Sequence, residues 1–119
     1  MGRPVIYFEI GCRDAAKTEQ FYSKLFDWQT SQNGPAVTIN TGAAGGIGGH
    51  ITSLGHEPHN YVTFYVQVDD LDAYLAKATA LGGRKLVGPV HLPTGSFAWM
   101  ADPDGNIIGL WKGEPPAGA

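Results

Sequence analysis

The stretch Val5–Asp14, VIYFEIGCRD, decides the fold, because its plan returns half a chain later in Val62–Asp70, VTFYVQVDD. Each stretch alternates side chains between two faces as a β-strand does, and each ends in an acidic residue that can begin a helix. A helical pattern, a glycine-rich break and further strand-like runs follow both stretches. We therefore predict two βαβββ modules, at about residues 4–54 and 61–112, in one α+β domain.

Each module is predicted to contain one helix. The first should cover Ala15–Phe26, with Asp14 as its N-cap, and the second Leu71–Leu81, with Asp69 or Asp70 as its N-cap. Apolar side chains at helical spacing predict the buried stripe of each helix. The stripe residues are Thr18, Phe21, Tyr22, Leu25 and Phe26 in the first helix, and Leu71, Leu75, Ala78 and Leu81 in the second.

The remaining pattern predicts short strands and turns. Asp102–Gly105, DPDG, is typical of a hairpin turn, because proline presets one turn dihedral and glycine supplies a positive φ. Residues 113–119 have little to pack and are expected to form a flexible tail. The predicted strands are Val37–Asn40, Ile47–Leu54, Lys85–Val90, Gly95–Ala101 and Asn106–Lys112.

Composition narrows the function classes. The chain has 119 residues with 8 basic and 11 acidic side chains, a net charge of −3, and no basic stripe, which disfavours a nucleic acid partner. No apolar run reaches membrane-spanning length, and the N-terminus lacks the plan of a secretory leader. The single cysteine, Cys12, cannot form an internal disulfide, which favours a cytoplasmic protein.

The predicted strands have two different faces. Ile6, Phe8 and Ile10 should pack under one helix, and Phe64, Val66 and Val68 under the other. Aromatic walls with a few polar groups are typical of a small-molecule cavity, although a dimer interface is also rich in tyrosine and tryptophan. The opposite face carries Tyr7, Glu9, Thr63, Tyr65, Gln67, Trp99 and Trp111, which are our candidate ligand-binding residues together with His50.

Several segments resemble the vicinal oxygen chelate superfamily, which includes glyoxalases, bleomycin-resistance proteins and dioxygenases. The resemblance covers about residues 5–112 and implies paired βαβββ modules in an open, cupped mixed sheet, often within a homodimer. The glycine-rich Gly45–Gly49 and the ending Ile108–Trp111 resemble a branch usually labelled as lactoylglutathione-lyase-related. The other matching segments are Phe8–Ile10, Phe21–Trp28, Val68–Asp72, Leu81–Gly83 and Asp102–Trp111.

Enzymes of this superfamily bind a divalent metal through equivalent strand positions of both modules. By the resemblance, those positions hold Tyr7, Thr63 and Gly109, with the fourth near Gly48. Metal sites in such enzymes need nitrogen and oxygen donors, and a tyrosine with a pKa of about 10 is a poor one at neutral pH. The sequence therefore predicts no metal and no other cofactor.

A shifted site remains open, because Glu9 lies two residues after Tyr7 and His50 two residues after Gly48. The two side chains could form an acid–base pair or half of a metal site, or simply bond to each other in a polar cavity. His56, His59 and His91 are more simply explained as loop or rim residues.

Cys12 and the glycine run are given structural roles. Cys12 has no nearby basic partner in sequence and is expected to be a small packed residue. The run Gly42–Gly49 lacks the lysine and helix of a phosphate-binding loop, and is expected to allow a bend or a close backbone approach.

Three functions stay open. The favoured one is a metal-free protein that binds a small aromatic or hydrophobic metabolite. The second is a lyase, isomerase or dioxygenase that uses Glu9 and His50 or a shifted metal. The third is an interaction module whose aromatic face serves dimerisation, which the polar groups of Glu9, Thr63 and Gln67 disfavour.

Overall fold

A computed structural model describes residues 2–33 and 36–114 of the chain. Its backbone contacts divide these residues into a first unit, residues 7–62, and a second unit, residues 2–6 and 63–114. The two units correspond closely to the predicted modules, except that the first residues of the chain group with the second half. The carbonyl of Pro4 accepts a hydrogen bond of 2.9 Å from the amide of Gln67.

The first unit follows the order β1, α1, β2, β3, β4. In its sheet the strands lie in the order β2-β3-β4-β1, with β1 parallel to β4 and the other pairs antiparallel. Its elements are β1 (Val5–Gly11, whose first two residues belong to the second unit), α1 (Ala15–Phe26), β2 (Gln29–Asn33), β3 (Ala36–Asn40) and β4 (Gly48–Thr52).

The second unit repeats this topology. Its strands lie in the order β5-β8-β7-β6, again with the first and last strands parallel and the other pairs antiparallel. The predicted α+β class and the paired βαβββ modules with a mixed sheet are therefore confirmed. The elements are β5 (Tyr61–Gln67, whose first two residues belong to the first unit), α2 (Leu71–Ala80), β6 (Arg84–Leu92), β7 (Gly95–Ala101) and β8 (Ile107–Lys112).

Both helices begin at the predicted caps. A carboxylate oxygen of Asp14 accepts from the amide of Lys17 at 3.0 Å, and one of Asp70 accepts from Ala73 at 3.0 Å. Each bond satisfies one amide that the first helical turn leaves without a backbone partner. Helix α1 has the predicted bounds, and α2 ends one residue earlier than predicted, at Ala80.

The predicted buried stripe of α1 is right for Tyr22 and wrong for Phe21, Leu25 and Phe26. These three side chains are between 51% and 59% exposed, and no residue of α1 is fully buried. The helix contacts the core through Ala15 and Tyr22, two turns apart on one face. Phe21 lies about 100° around the helix from Tyr22, so the packed face is narrower than predicted and does not include Phe21.

The core of each unit lies between its helix and its sheet. Leu71 and Leu75 of α2 are buried as predicted, whereas Leu81 follows the helix and is exposed, and Phe64 is also largely exposed. The first core consists of Ile10, Cys12, Val37, Ile39 and Ile51, and the second of Val68, Leu71, Leu75, Ala98 and Leu110.

The remaining findings concern strand β2, the turn at Asp102–Gly105 and the chain end. Strand β2, QTSQN, was not expected because it lacks an apolar alternation; it is an edge strand whose Thr30 is half-buried and donates to the Glu19 carboxylate of α1 at 3.3 Å. The turn Asp102–Gly105 is confirmed: Gly105 has a φ of 91° and donates to the Asp102 carbonyl at 2.9 Å. Residues 115–119 of the predicted tail lie outside the described residues. None of the described helices has the length and apolar character needed to span a membrane.

Candidate functional site

The candidate site lies in the first unit, on the face of β1 and β4 that points away from α1. The parallel ladder pairs Tyr7 with Gly48 and Glu9 with His50. Phe8 and Ile10 contribute to the helix-side core, so alternation along β1 directs Tyr7 and Glu9 to the other face, as predicted. Gly49 has no side chain because a Cβ there would lie 2.6 Å from the Phe8 ring and carbonyl. The glycine thus permits the predicted close approach of β4 to β1.

Four side chains form a continuous hydrogen-bonded chain, which we call the Glu9 network. His50 Nε2 lies 3.1 Å from Glu9 Oε1, and His50 Nδ1 lies 3.0 Å from the hydroxyl of Tyr7. The hydroxyl of Tyr61 donates to Glu9 Oε2. The network therefore runs from Tyr61 through Glu9 and His50 to Tyr7.

Burial differs along this network. Glu9 is 2% exposed and Tyr7 is also buried, whereas the side chain of His50 is 20% exposed. An isolated carboxylate so deeply buried would be strongly destabilising, so hydrogen bonds such as those from His50 and Tyr61 are what make its position tolerable. His50 is the member of the Glu9–His50 pair that a ligand can reach.

The two tyrosines of the network remain neutral. Burial, and secondly the charge of Glu9, raise the pKa of Tyr7 above its ordinary value. Burial, followed by the hydrogen bond to Glu9 and its charge, raises the pKa of Tyr61 in the same direction. Both phenols therefore act as hydrogen-bond donors at neutral pH, and neither supplies a phenolate.

Tyr61 is the functional residue that the sequence reasoning missed. Its ring occupies space that only glycine leaves free, since a Cβ at Gly11 or at Gly55 would overlap ring atoms. The ring of His56 stacks on it, with centroids 3.8 Å apart and planes 21° from parallel. The two glycines were the available signal, but nothing in the sequence shows which side chain they accommodate.

The second unit has its own polar–aromatic contacts. The indole Nε1 of Trp99 donates to the Tyr65 hydroxyl at 2.8 Å, so these two candidate residues are brought together. Thr63 donates to the Ile107 carbonyl at 2.7 Å. Gln67 donates to the carbonyl of Gly113 at 2.7 Å, and Trp111 to that of Glu114 at 2.6 Å.

The strand ladders also revise one correspondence between the modules. Tyr65, rather than Thr63, lies opposite Gly109, in the same relation as Tyr7 to Gly48. Gln67 then lies opposite Trp111, where the first module has Glu9 opposite His50. Tyrosine thus occupies the corresponding position of both modules.

The residues present do not fit a catalytic divalent metal. Such a metal takes about three protein ligands and leaves a further position open to substrate. Glu9 and His50 would supply two donors, and the neutral phenol of Tyr7 is not a third. Within the described ranges, no group of three or more His, Cys, Asp or Glu side chains is placed to hold a metal ion.

The other residues singled out in the sequence lie outside the Glu9 network, except for the stacking of His56 on Tyr61. His59 pairs with Glu57 at 3.0 Å, and His91 is exposed and bonds to Ser96. His56 lies in the loop between β4 and β5, as predicted, and is half-buried. Cys12 is a packed residue as predicted, buried with its thiol directed at the Thr52 carbonyl.

Comparison with known proteins gives consistent matches. A family model described as a glyoxalase-like domain matches residues 6–110. A glyoxylase-like domain-containing protein of Didymella fabae is 33% identical over 111 residues, which cover 82% of this chain and 84% of that protein. The anthracycline biosynthesis protein DnrV of Streptomyces peucetius is 26% identical over 131 residues. That match covers 89% of this chain and 46% of DnrV, so the chain spans less than half of that relative.

A solved structure shows the same fold. It is a glyoxalase/bleomycin resistance protein/dioxygenase superfamily member from Vibrio splendidus 12B01, with a TM-score of 0.62 and 14% sequence identity. The match covers 93% of this chain and 98% of that one. At this identity the likeness concerns the fold alone.

Proposed function

This chain belongs to the glyoxalase-like domain family, and from that premise we propose that it binds a small aromatic or apolar metabolite at the Glu9 network without a divalent metal. The observation that carries the proposal is the position of His50. It is the exposed end of a buried acid–imidazole pair and is flanked by the ring of Tyr7, 5.3 Å away between centroids. Aromatic surface with a few oriented polar groups is what small-molecule sites use.

Hydrogen bonding favours binding over proton transfer. With Glu9 ionised, His50 donates from Nε2 to Glu9, and Nδ1 accepts the hydroxyl proton of Tyr7. Both ring nitrogens are then engaged, so His50 offers a ligand its ring face and edge rather than a free lone pair. A general base would have to break one of these bonds before it could accept a proton.

The ligand class follows from the aromatic lining and from one relative. Planar apolar molecules gain affinity by stacking on or contacting tyrosine and histidine rings. The name of DnrV assigns that relative to anthracycline biosynthesis, which is compatible with an aromatic ligand here. The lactoylglutathione-lyase-related branch, the homodimer and the cytoplasmic location stay predictions.

The test is a binding measurement with neutral planar probes, 1-naphthol and 1,4-dihydroxyanthraquinone, by isothermal titration and by NMR of the histidine ring protons. We expect saturable binding that shifts the His50 signals, that EDTA leaves unchanged and that His50→Gln weakens about tenfold or more, or about 1.4 kcal/mol. The matched control is His91→Gln, at an exposed histidine of β6, which should bind as the wild type does. Binding lost in EDTA and restored by zinc or manganese, or equal effects of both substitutions, would overturn the proposal.

A second candidate function is acid–base catalysis by the same residues. It is supported by the carboxylate that orients the imidazole at 3.1 Å, an arrangement that general bases share. This candidate predicts that Glu9→Gln abolishes turnover of a bound compound while leaving its Kd within about twofold. Elemental analysis of untagged protein would separate it from a metal-dependent reaction.

A further inference from the structure

A cleft of the first unit lies beside the Glu9 network and shares only Tyr61 with it. This cleft, of about 600 Å³, opens between the end of β1, the beginning of α1 and the beginning of β5. Tyr7, Glu9 and His50 are absent from its walls, and its volume is in the range of small-molecule sites. Its lining includes Cys12, Arg13, Thr18, Tyr22, Asn60 and Tyr61.

Arg13 gives the cleft a cation that is available to a ligand. Its side chain is exposed, and no described residue forms an ion pair or hydrogen bond with its guanidinium. The neighbouring carboxylate, Asp14, is directed to the first turn of α1, where it accepts from the amide of Lys17. The negative charge of Asp14 is thereby balanced in part by the positive end of the helix dipole.

The walls of the cleft combine polar and apolar surface. Asn60 contributes an amide, and Tyr22, Tyr61 and Val62 contribute rings and an exposed aliphatic side chain. A guanidinium binds a carboxylate through two parallel charge-assisted hydrogen bonds, which no neutral group reproduces. We propose that the cleft binds a small organic carboxylate whose anionic group pairs with Arg13 and whose apolar body contacts Tyr22, Tyr61 and Val62.

This site goes beyond the proposed function and touches the Glu9 network at one residue. Tyr61 lines the cleft, and its hydroxyl donates to the carboxylate of Glu9. A carboxylate bound in the cleft therefore contacts the network from outside without occupying the space beside His50. Binding in the cleft should accordingly survive His50→Gln, which keeps the two proposals distinguishable.

The experiment is an NMR titration of backbone amides with benzoate, phenylacetate, cinnamate and hexanoate, each compared with its neutral amide. We expect at least one acid to give saturable shifts at Cys12, Arg13 and Asn60, with binding about tenfold or more tighter than that of its amide. Arg13→Gln should abolish this preference for the acid. Arg84→Gln, at an exposed arginine of β6 in the second unit, should keep it.

The same spectra report the fold of each variant, so a loss of binding is not confused with unfolding. The proposal is overturned if none of the four acids saturates below about 10 mM, an affinity weaker than about −3 kcal/mol. It is also overturned if an acid and its amide bind equally, or if Arg84→Gln removes the preference as fully as Arg13→Gln does.

Discussion

Replacing Glu9 by glutamine tests whether the buried network holds the first unit together. The amide keeps the shape of the side chain, but it carries no charge and has one acceptor oxygen in place of two. The bonds to His50 and Tyr61 can therefore both persist only as neutral ones, with His50 in its other tautomer. A hydrogen bond to a charged group stabilises by about 1.5–3 kcal/mol and a neutral one by about 1 kcal/mol. Two such conversions, each worth about 0.5–2 kcal/mol, at a position that is 2% exposed should lower the free energy of unfolding by about 1–4 kcal/mol.

The assay is urea unfolding at neutral pH, with the change in midpoint read at constant m-value. For a chain of this length the loss corresponds to a decrease in Tm of about 4–16 °C. The control is Glu57→Gln, which makes the same chemical change opposite another histidine, His59, at 3.0 Å. The side chain of Glu57 is 74% exposed, and exposed ion pairs contribute about 0–1 kcal/mol.

The comparison can refute the reasoning directly. If Glu9→Gln costs no more than Glu57→Gln, or raises stability, the desolvation of the buried carboxylate outweighs its two hydrogen bonds. The Glu9 network would then be a cost that the fold tolerates rather than a stabilising feature. A larger loss at Glu9 with an unchanged m-value supports the network as described.

Three further predictions follow from single contacts. Gly11→Ala should destabilise by about 1–3 kcal/mol in thermal unfolding because its methyl group overlaps the Tyr61 ring, whereas Gly2→Ala, with no atom within 4 Å, should have no effect. Because the pKa values of Tyr7 and Tyr61 are raised on folding, the wild type should lose stability above about pH 10, where the unfolded chain ionises. The double variant Tyr7→Phe/Tyr61→Phe should lose less over that range, and equal pH profiles would contradict the assignment. Hydrogen bonds from the Asn106 side chain and backbone lower the pKa of Asp102. The wild type should therefore have a higher free energy of unfolding than Asp102→Ala above about pH 4, and this difference should vanish as the pH falls below that value.

Local sequence signals were sufficient to predict where the helices begin, one turn and the two faces of β1. The caps Asp14 and Asp70, the turn at Asp102–Gly105 and the alternation along β1 each depend on neighbouring residues, and the structure confirms them. The stripe predicted for α1 was wrong at Phe21, Leu25 and Phe26. An apolar pattern shows that a helix is amphipathic, but it does not show which side of the helix packs against the sheet. That side is set by Ala15 and Tyr22, through contacts with strands distant in sequence.

The candidate site was predictable to the extent that it depends on strand periodicity. Glu9 and His50 were expected on one face because each lies two residues beyond a position of the repeat, and the ladder places them opposite each other. Tyr61 was not predictable, since it reaches Glu9 across 52 residues of sequence. Matching Tyr7 with Thr63 was a shift of two residues, which alternation cannot detect because it preserves the face.

The two modules carry different side chains at one pair of equivalent positions in their strand ladders. Both modules place a tyrosine opposite a glycine, and in the second module Tyr65 requires Gly109, since a Cβ there would overlap its ring. Two residues further along the strands the modules differ. Glu9 lies opposite His50 in the first module, and Gln67 lies opposite Trp111 in the second. Gln67 and Trp111 donate to the carbonyls of Gly113 and Glu114, and so fix the two residues that follow β8. The first module keeps an ionisable pair whose imidazole is 20% exposed, and for that reason we place the proposed ligand site there.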